Sequence, residues 1–209
     1  MNPKIKQSKY QSFKWTGSKW LIANDIIPHL PTKGKTYFEP FVGGGAILVH
    51  AIPSFRKNIA GDIYGPLIDL WKQIKTNPEE IDLKYRKLWN ELKDEVSDIV
   101  LERDRGKGIP KIYYQSREEF NKTKDPFLLL FLTKTCLNGV IRFSSKGDFN
   151  NSFHHGRLGQ KPDAFSKCIH NLSNHIKDTD FHTKEAMDLI NSIEVGDVVF
   201  LDPPYFDSK

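Results

Sequence analysis

The chain has 209 residues, 38% of them apolar and 12% aromatic, and a net charge of +5 from 31 Lys and Arg against 26 Asp and Glu. That length suits one sizeable domain or one domain with a smaller insertion, and a basic, aromatic-rich balance is compatible with a nucleic-acid partner without demanding one. Cys136 and Cys168 stand far apart with no CxxC or Cys/His cluster, so no metal site is expected; no apolar run reaches the ~18 residues of a membrane span, and the polar start "MNPKIKQSKYQSFK" is no signal peptide.

In chain order, residues 1–13 read as a polar arm. "KWTGSKWLIANDIIPHL" has a glycine turn and then apolar spacing that fits a helix ending near Pro28 and Pro31. "KTYFEPFVGGGAILVHAI" predicts an apolar strand, a glycine turn and a helix. "NIAGDIYGPLIDLWKQIK" predicts a short strand ending near Asp62 and a helix carrying Leu67, Leu70, Trp71 and Ile74. Residues 78–125 are charge-rich, with Leu88, Leu92, Val96 and Ile99 at helical spacing and a break at "RDRGKGIPK", which predicts two or three helices with solvated faces. "DPFLLLFLTKTCLNGV" predicts a buried helix. "RFSSKGDFNNSFHHG" carries a turn signal at Lys146-Gly147-Asp148 and predicts a hairpin or ordered loop. "KPDAFSKCIHNLSNHI" predicts an amphipathic helix, "TDFHTKEAMDLINSI" a strand edge leading into a helix, and "GDVVFLDPPY" a fully apolar and therefore centrally buried strand. Strands alternating with helices on both sides of an irregular middle predict an α/β doubly wound, Rossmann-like sheet. Its parts are residues 1–75 plus 160–209, with 76–159 inserted.

Two loops carry chemistry. Gly43, Gly44 and Gly45 follow a strand and are expected to open a helix, where glycine lets a ligand approach the backbone and the helix N-terminus offers free N–H groups. The spacing is not GxGxxG, which disfavours a dinucleotide. Asp62 ends the next strand about 20 residues on, the usual place for an acid that binds ribose hydroxyls. An adenosine-containing ligand follows from the pair; a plain tight turn and a helix N-cap are the bland alternatives. In the second loop, Asp202 leaves its strand at the carboxyl edge of the sheet. Pro203 and Pro204 remove two N–H donors and stiffen the loop, and Tyr205 offers a flat face. A rigid acceptor, a rigid carbonyl and an aromatic platform suit an amino group on a planar base, whose lone pair they would turn toward an electrophilic methyl group.

With these residues in view, the chain resembles the Dam-type, alpha-group DNA adenine amino-methyltransferases. "KWTGSK" resembles the family's N-terminal cofactor motif, "FEPFVGGGA" its glycine loop, "NGVIRFSSKGDFNNSF" the hairpin of its target-recognition insertion, and "DPPY" its catalytic motif, over about residues 10–205. The resemblance implies S-adenosylmethionine as methyl donor, a flipped adenine in duplex DNA as acceptor, and the cytoplasm of a bacterial or phage-infected cell as location. It implies that Trp15 and Lys19 contact the cofactor, that the loop from Pro40 and Phe41 through Gly43, Gly44 and Gly45 wraps its methionine part, and that Asp62 binds its ribose. Asp202, bordering the cofactor, would hold the adenine amino group with the Pro203 carbonyl, Pro204 stiffening the turn and Tyr205 stacking on the base. Arg142 matches a family arginine that contacts guanine, and Asn138, Lys146 and Asn150 share its segment. Lys and Arg along 84–124 would add salt-sensitive backbone affinity or serve only as solvent faces.

The chain departs from the family at Ser144, Ser152 and Lys184, which leaves the target sequence and the contact to the cofactor adenine unassigned. Family members also continue well past the catalytic loop, whereas four residues follow Tyr205 here. The strand that ends at Asp202 would then lack neighbours on one side, and the expectation is a piece whose remaining strands lie in a second chain or were removed, poorly active alone. A non-catalytic DNA-binding or partner-binding module is the alternative.

Overall fold

The computed structural model describes residues 7–101, 109–155 and 158–204. A short helix, α1 (Gln7–Tyr10), and a second, α2 (Ala23–Ile26), precede strand β1 (Gly34–Glu39). After β1 come α3 (Leu48–Ala51), β2 (Phe55–Asp62) and α4 (Gly65–Thr76). The middle of the chain holds α5 (Pro78–Leu101), α6 (Lys111–Thr123) and α7 (Pro126–Thr135). It is followed by α8 (Pro162–Ile176), β3 (Thr179–Thr183), α9 (Ala186–Ile190) and β4 (Val198–Val199).

The four strands form one parallel sheet in the order β3-β2-β1-β4. From β1 the chain steps to β2 and on to β3 on one side, then returns to lay β4 on the other side of β1. The connections therefore diverge between β1 and β4, and the crevice at the carboxyl ends of those two strands is where ligands bind in open α/β sheets.

One apolar cluster joins the sheet to the helices. Trp71 of α4 stacks on Phe181 of β3, centroids 5.3 Å apart, and Tyr85 of α5 stacks on Phe165 of α8 at 3.9 Å. The run "PFLLLFLTKT" of α7 buries residues on every side, as its unbroken apolarity predicts. Asp125 caps this helix, its Oδ1 accepting from the N–H groups of Phe127 (2.7 Å) and Leu128 (3.3 Å). Asp125→Ala is expected to cost about 1 kcal/mol of stability. The check is the urea midpoint, which should fall at unchanged m value.

Three expectations are corrected. The polar arm is not all arm: Tyr10, Ser12 and Phe13 are buried. Tyr10 stacks on His175 of α8 at 4.4 Å and Phe13 meets the edge of Trp71, because two large rings gain more by leaving water than the surrounding polar residues lose. The helix expected before Pro28 shrinks to α2 and a 3₁₀ turn, with Leu21 left 88% exposed. The strand expected at the centre of the sheet is β4. Among the described residues it pairs with β1 alone, its two valines are half-buried, and Leu201 is 51% exposed. Its apolarity marks residues that can be covered on two faces, which is not the same as having a neighbour on each edge. Among the described residues no helix is long and apolar enough to cross a membrane.

Candidate active site

The crevice at the carboxyl ends of β1 and β4 holds a cavity of about 270 Å³. Residues 15–19 close one wall, the bend 41–47 another, and Asp62 with Ile63 a third; Glu39, Phe200 and residues 202–204 complete it. The glycine bend and the acid-proline loop, 157 positions apart from Gly45 to Asp202, thus share one cavity.

The bend is held from both sides. Val42 N–H donates to the Gly61 carbonyl (2.8 Å), Gly45 N–H to Val42 (2.7 Å), and Trp71 Nε1–H to Gly43 (3.0 Å). Gly43 and Gly45 have φ of +45° and +63°, values that favour glycine. A β-carbon on Gly45 would sit 2.6 Å from the Trp71 ring, and one on Gly43 would sit 2.9 Å from Trp15. The glycines therefore let two tryptophans close on the backbone. They do not open a helix, as the spacing suggested: α3 begins at Leu48 and is one turn long. The helix N-terminus expected directly behind the glycines is displaced to Leu48 because the chain spends residues 40–47 on turns.

Three carboxyls and an amine face this space. Asp62 accepts from Gly43 N–H (3.3 Å) and Tyr64 N–H (3.0 Å). Burial raises its pKa, and those backbone donors hold the rise back. Asp202 pairs with Lys19 Nζ at 2.5 Å, and the same ammonium donates to the Gly17 carbonyl at 2.8 Å. Glu39, 3% exposed, accepts from Tyr37 Oη–H at 2.7 Å, and burial pushes its pKa up to about 8. Tyr64, its hydroxyl buried without a hydrogen-bond partner among the described residues, is pushed up to about 12 by burial.

Of the residues singled out from sequence, Trp15, Lys19, Phe41, Gly43, Gly44, Gly45, Asp62, Asp202, Pro203 and Pro204 line the cavity. Pro40 is buried but off the wall, and Tyr205 lies outside the described residues. Asn138, Arg142, Lys146 and Asn150 are exposed on one segment. That segment is a hairpin: Phe143 bridges Phe149, Asn150 N–H donates to the Arg142 carbonyl (3.0 Å), and Ser144 Oγ accepts from Lys146 and Asp148 N–H at 3.2 Å each. Asn138 takes the left-handed conformation at φ 57°.

The hairpin docks on the cavity rim. Thr16 Oγ1 accepts from Ile141 N–H at 3.1 Å and donates to its carbonyl at 3.4 Å, and Tyr64 bridges Trp15 to Phe143 with ring centroids 5.9 and 5.2 Å apart. Several basic residues of the middle helices are paired, Lys84 with Glu80, Arg86 with Asp163 and Lys124 with Asp148.

Sequence reasoning missed Glu39, Ser18 and Thr16. Glu39 had a signal, since an acid closing an apolar strand directly before a glycine bend sits where ligands bind. Ser18 and Thr16 had none, because a hydroxyl in a turn is ordinary.

The model of the D12 class N6 adenine-specific DNA methyltransferases matches residues 15–209. A DNA adenine methylase of Escherichia coli (strain K12) is 32% identical over 196 residues, covering 92% of this chain and 63% of that protein. The Type II methyltransferase M.MjaIII of Methanocaldococcus jannaschii is 31% identical over 207 residues, covering 92% of this chain and 68% of that protein. A DNA adenine methylase of Haemophilus influenzae is 26% identical over 210 residues, 98% of this chain and 66% of that protein. The chain thus spans about two thirds of the length of these relatives.

Proposed function

The chain belongs to the D12 class N6 adenine-specific DNA methyltransferase family, and from that premise we propose that it transfers a methyl group from S-adenosylmethionine to the exocyclic amino group of adenine in duplex DNA. The observation that carries this reading is the single cavity shared by the glycine bend and Asp202. The residues suit the cofactor. Asp62 offers a carboxylate at the end of β2 for a ribose diol, and Ser18 Oγ is a buried polar atom on the wall without a partner among the described residues. When bound, the cofactor supplies an electrophilic methyl on a sulfonium.

The chain's part is alignment. Asp202 accepts one hydrogen of the adenine amino group and the Pro203 carbonyl the other, which favours a pyramidal nitrogen whose lone pair is withdrawn from conjugation with the ring and free to attack a methyl group. Pro204 holds that carbonyl in place and Tyr205 stacks on the extruded base, offsetting part of its unstacking cost of a few kcal/mol. Trp15 packs on the bend as the wall of the methionine end, with Phe41 and the glycines. Lys19, paired with Asp202, holds its carboxylate oriented until the base arrives. We assign residues 1–75 and 160–209 to catalysis and 76–159 to recognition of DNA, in the cytoplasm of a bacterial or phage-infected cell.

The test is transfer of tritium from labelled S-adenosylmethionine to duplex DNA, followed by nucleoside analysis. Label in N6-methyladenine is the expected outcome, from the chain alone or with a segment corresponding to the remaining C-terminal part of a relative supplied; label in cytosine, or no label under either condition, would reject the reading. Arg142→Ala is expected to weaken binding to the cognate duplex by about 10–100-fold, since a bidentate arginine–guanine pair is worth ~1–3 kcal/mol. Affinity for unrelated duplex DNA should change far less. Competition binding on the two DNAs measures both.

A further inference from the structure

The proposed reaction leaves Glu39 without a task. It is the most enclosed ionisable group among the described residues of the cavity wall, and although it belongs to the block "FEPFVGGGA", the contacts assigned to that block give it no role. A buried acid needs either a cation or its proton. Among the described residues the one ammonium on this wall, Lys19, is already matched by Asp202 at 2.5 Å. The groups that face Glu39 or border the same space are Tyr37 from its own strand, Asp202 after β4, Asp62 after β2, Lys19 from the loop before α2, and the Leu48 N–H of α3. His50 of α3 turns away, its Nδ1–H donating to the Ala46 carbonyl at 2.7 Å. Two carboxyls besides Glu39 and a single cation leave no positive charge for a third carboxylate.

We infer that Glu39 is a positioning residue for the cofactor: its carboxyl holds a proton in the empty cavity and releases it when a cation enters, so that binding of S-adenosylmethionine is coupled to proton release. This rests on the cofactor assignment above and deepens it. Burial is the main cause of proton retention, and the charge of Asp202 adds to it; the Tyr37 hydroxyl and the Leu48 N–H favour the ionised form. An entering sulfonium or ammonium group supplies the missing counter-charge. The carboxyl then ionises, and the carboxylate, held by Tyr37, fixes the cation against the bend. The sign follows from linkage: a group that loses a proton on binding makes affinity rise with pH, by up to about tenfold per pH unit while it is protonated in the free protein. Above pH about 8 the free protein has already lost that proton and the rise levels off.

Calorimetry of S-adenosylmethionine binding to the full chain at pH 7.5, in phosphate and in Tris, counts the protons exchanged. The ligand's own amino group titrates nearby, so the informative quantity is wild type minus Glu39→Gln. That difference is expected to be release of about three quarters of a proton, from a carboxyl at about 8. S-adenosylhomocysteine, which lacks the sulfonium charge, should give a smaller value. Tyr37→Phe removes a donor to the carboxylate and should move the pH profile of release upward; this variant carries the test if Glu39→Gln does not fold. Binding with equal proton counts in wild type and Glu39→Gln, or an unmoved profile in Tyr37→Phe, overturns the inference alone. Failure of both compounds to bind overturns the proposed function and this inference with it.

Discussion

Asp202→Asn is expected to lower methyl transfer to duplex DNA by about 10²–10³-fold, the range found when one preorganised polar contact to a reacting group is removed. The substitution keeps the shape of the side chain and replaces one acceptor oxygen by a donor. An adenine amino group presents two hydrogens, so a donor at that position repels what the carboxylate attracts. The loss should appear in kcat, because the contact matters most as charge develops on the nitrogen. S-adenosylhomocysteine should still bind within about threefold of wild type, since the bend, Asp62 and Trp15 are untouched. Lys19 would keep its 2.8 Å bond to the Gly17 carbonyl and so remain on the wall. Tritium transfer and equilibrium binding on the same preparations decide the matter. An unchanged rate would remove Asp202 from the reaction.

The second large effect is expected from Gly45→Ala. The added carbon would lie 2.6 and 2.7 Å from two atoms of the Trp71 ring, and the backbone at φ +63° disfavours any side chain. Trp71 cannot withdraw. It is 1% exposed, stacked on Phe181 with an interplanar angle of 8°, and its indole N–H holds the Gly43 carbonyl. A destabilisation of roughly 3 kcal/mol or more is expected from overpacking and strain together. Gly44→Ala is the control. Its β-carbon would meet Trp15 Cβ at 3.3 Å and Ser18 Oγ at 3.4 Å, so the neighbours need give by only a few tenths of an ångström, and its φ lies outside the left-handed region; a cost of about 1 kcal/mol or less is expected. Urea denaturation of both variants reads the difference. Equal midpoints would mean that the bend is not pinned by Trp71.

Local chemistry was legible where one residue type answers a local demand. The α4 helix could be read from Leu67, Leu70, Trp71 and Ile74 at helical spacing after Gly65-Pro66. The α7 helix could be read from Asp125-Pro126 before an unbroken apolar run, and the hairpin turn from Lys146-Gly147-Asp148. The acid at the end of β2 and the acid-proline loop were equally plain. What misled was apolarity without context. "VVFL" reads as a fully buried strand, but β4 lies beside β1 with its valines half-buried and Leu201 51% exposed. "GGGAILVHA" reads as a glycine-opened helix, but Trp15 and Trp71 close on the glycines and the helix starts later.

By itself the sequence determined most of the strand and helix identities, the two chemically distinctive loops and, through four short blocks read one at a time, the family resemblance, since each element, loop or block is a local run of residues. Only the tertiary structure decided that Asp202 ends beside Lys19, that Glu39 shares the wall with both, and that Thr16 clamps the hairpin at Ile141. The physical reason is sheet topology. Adjacent strands in the sheet are not adjacent in the chain, so the charges that set one another's protonation come from segments up to 183 positions apart, and no local pattern records which of them will meet.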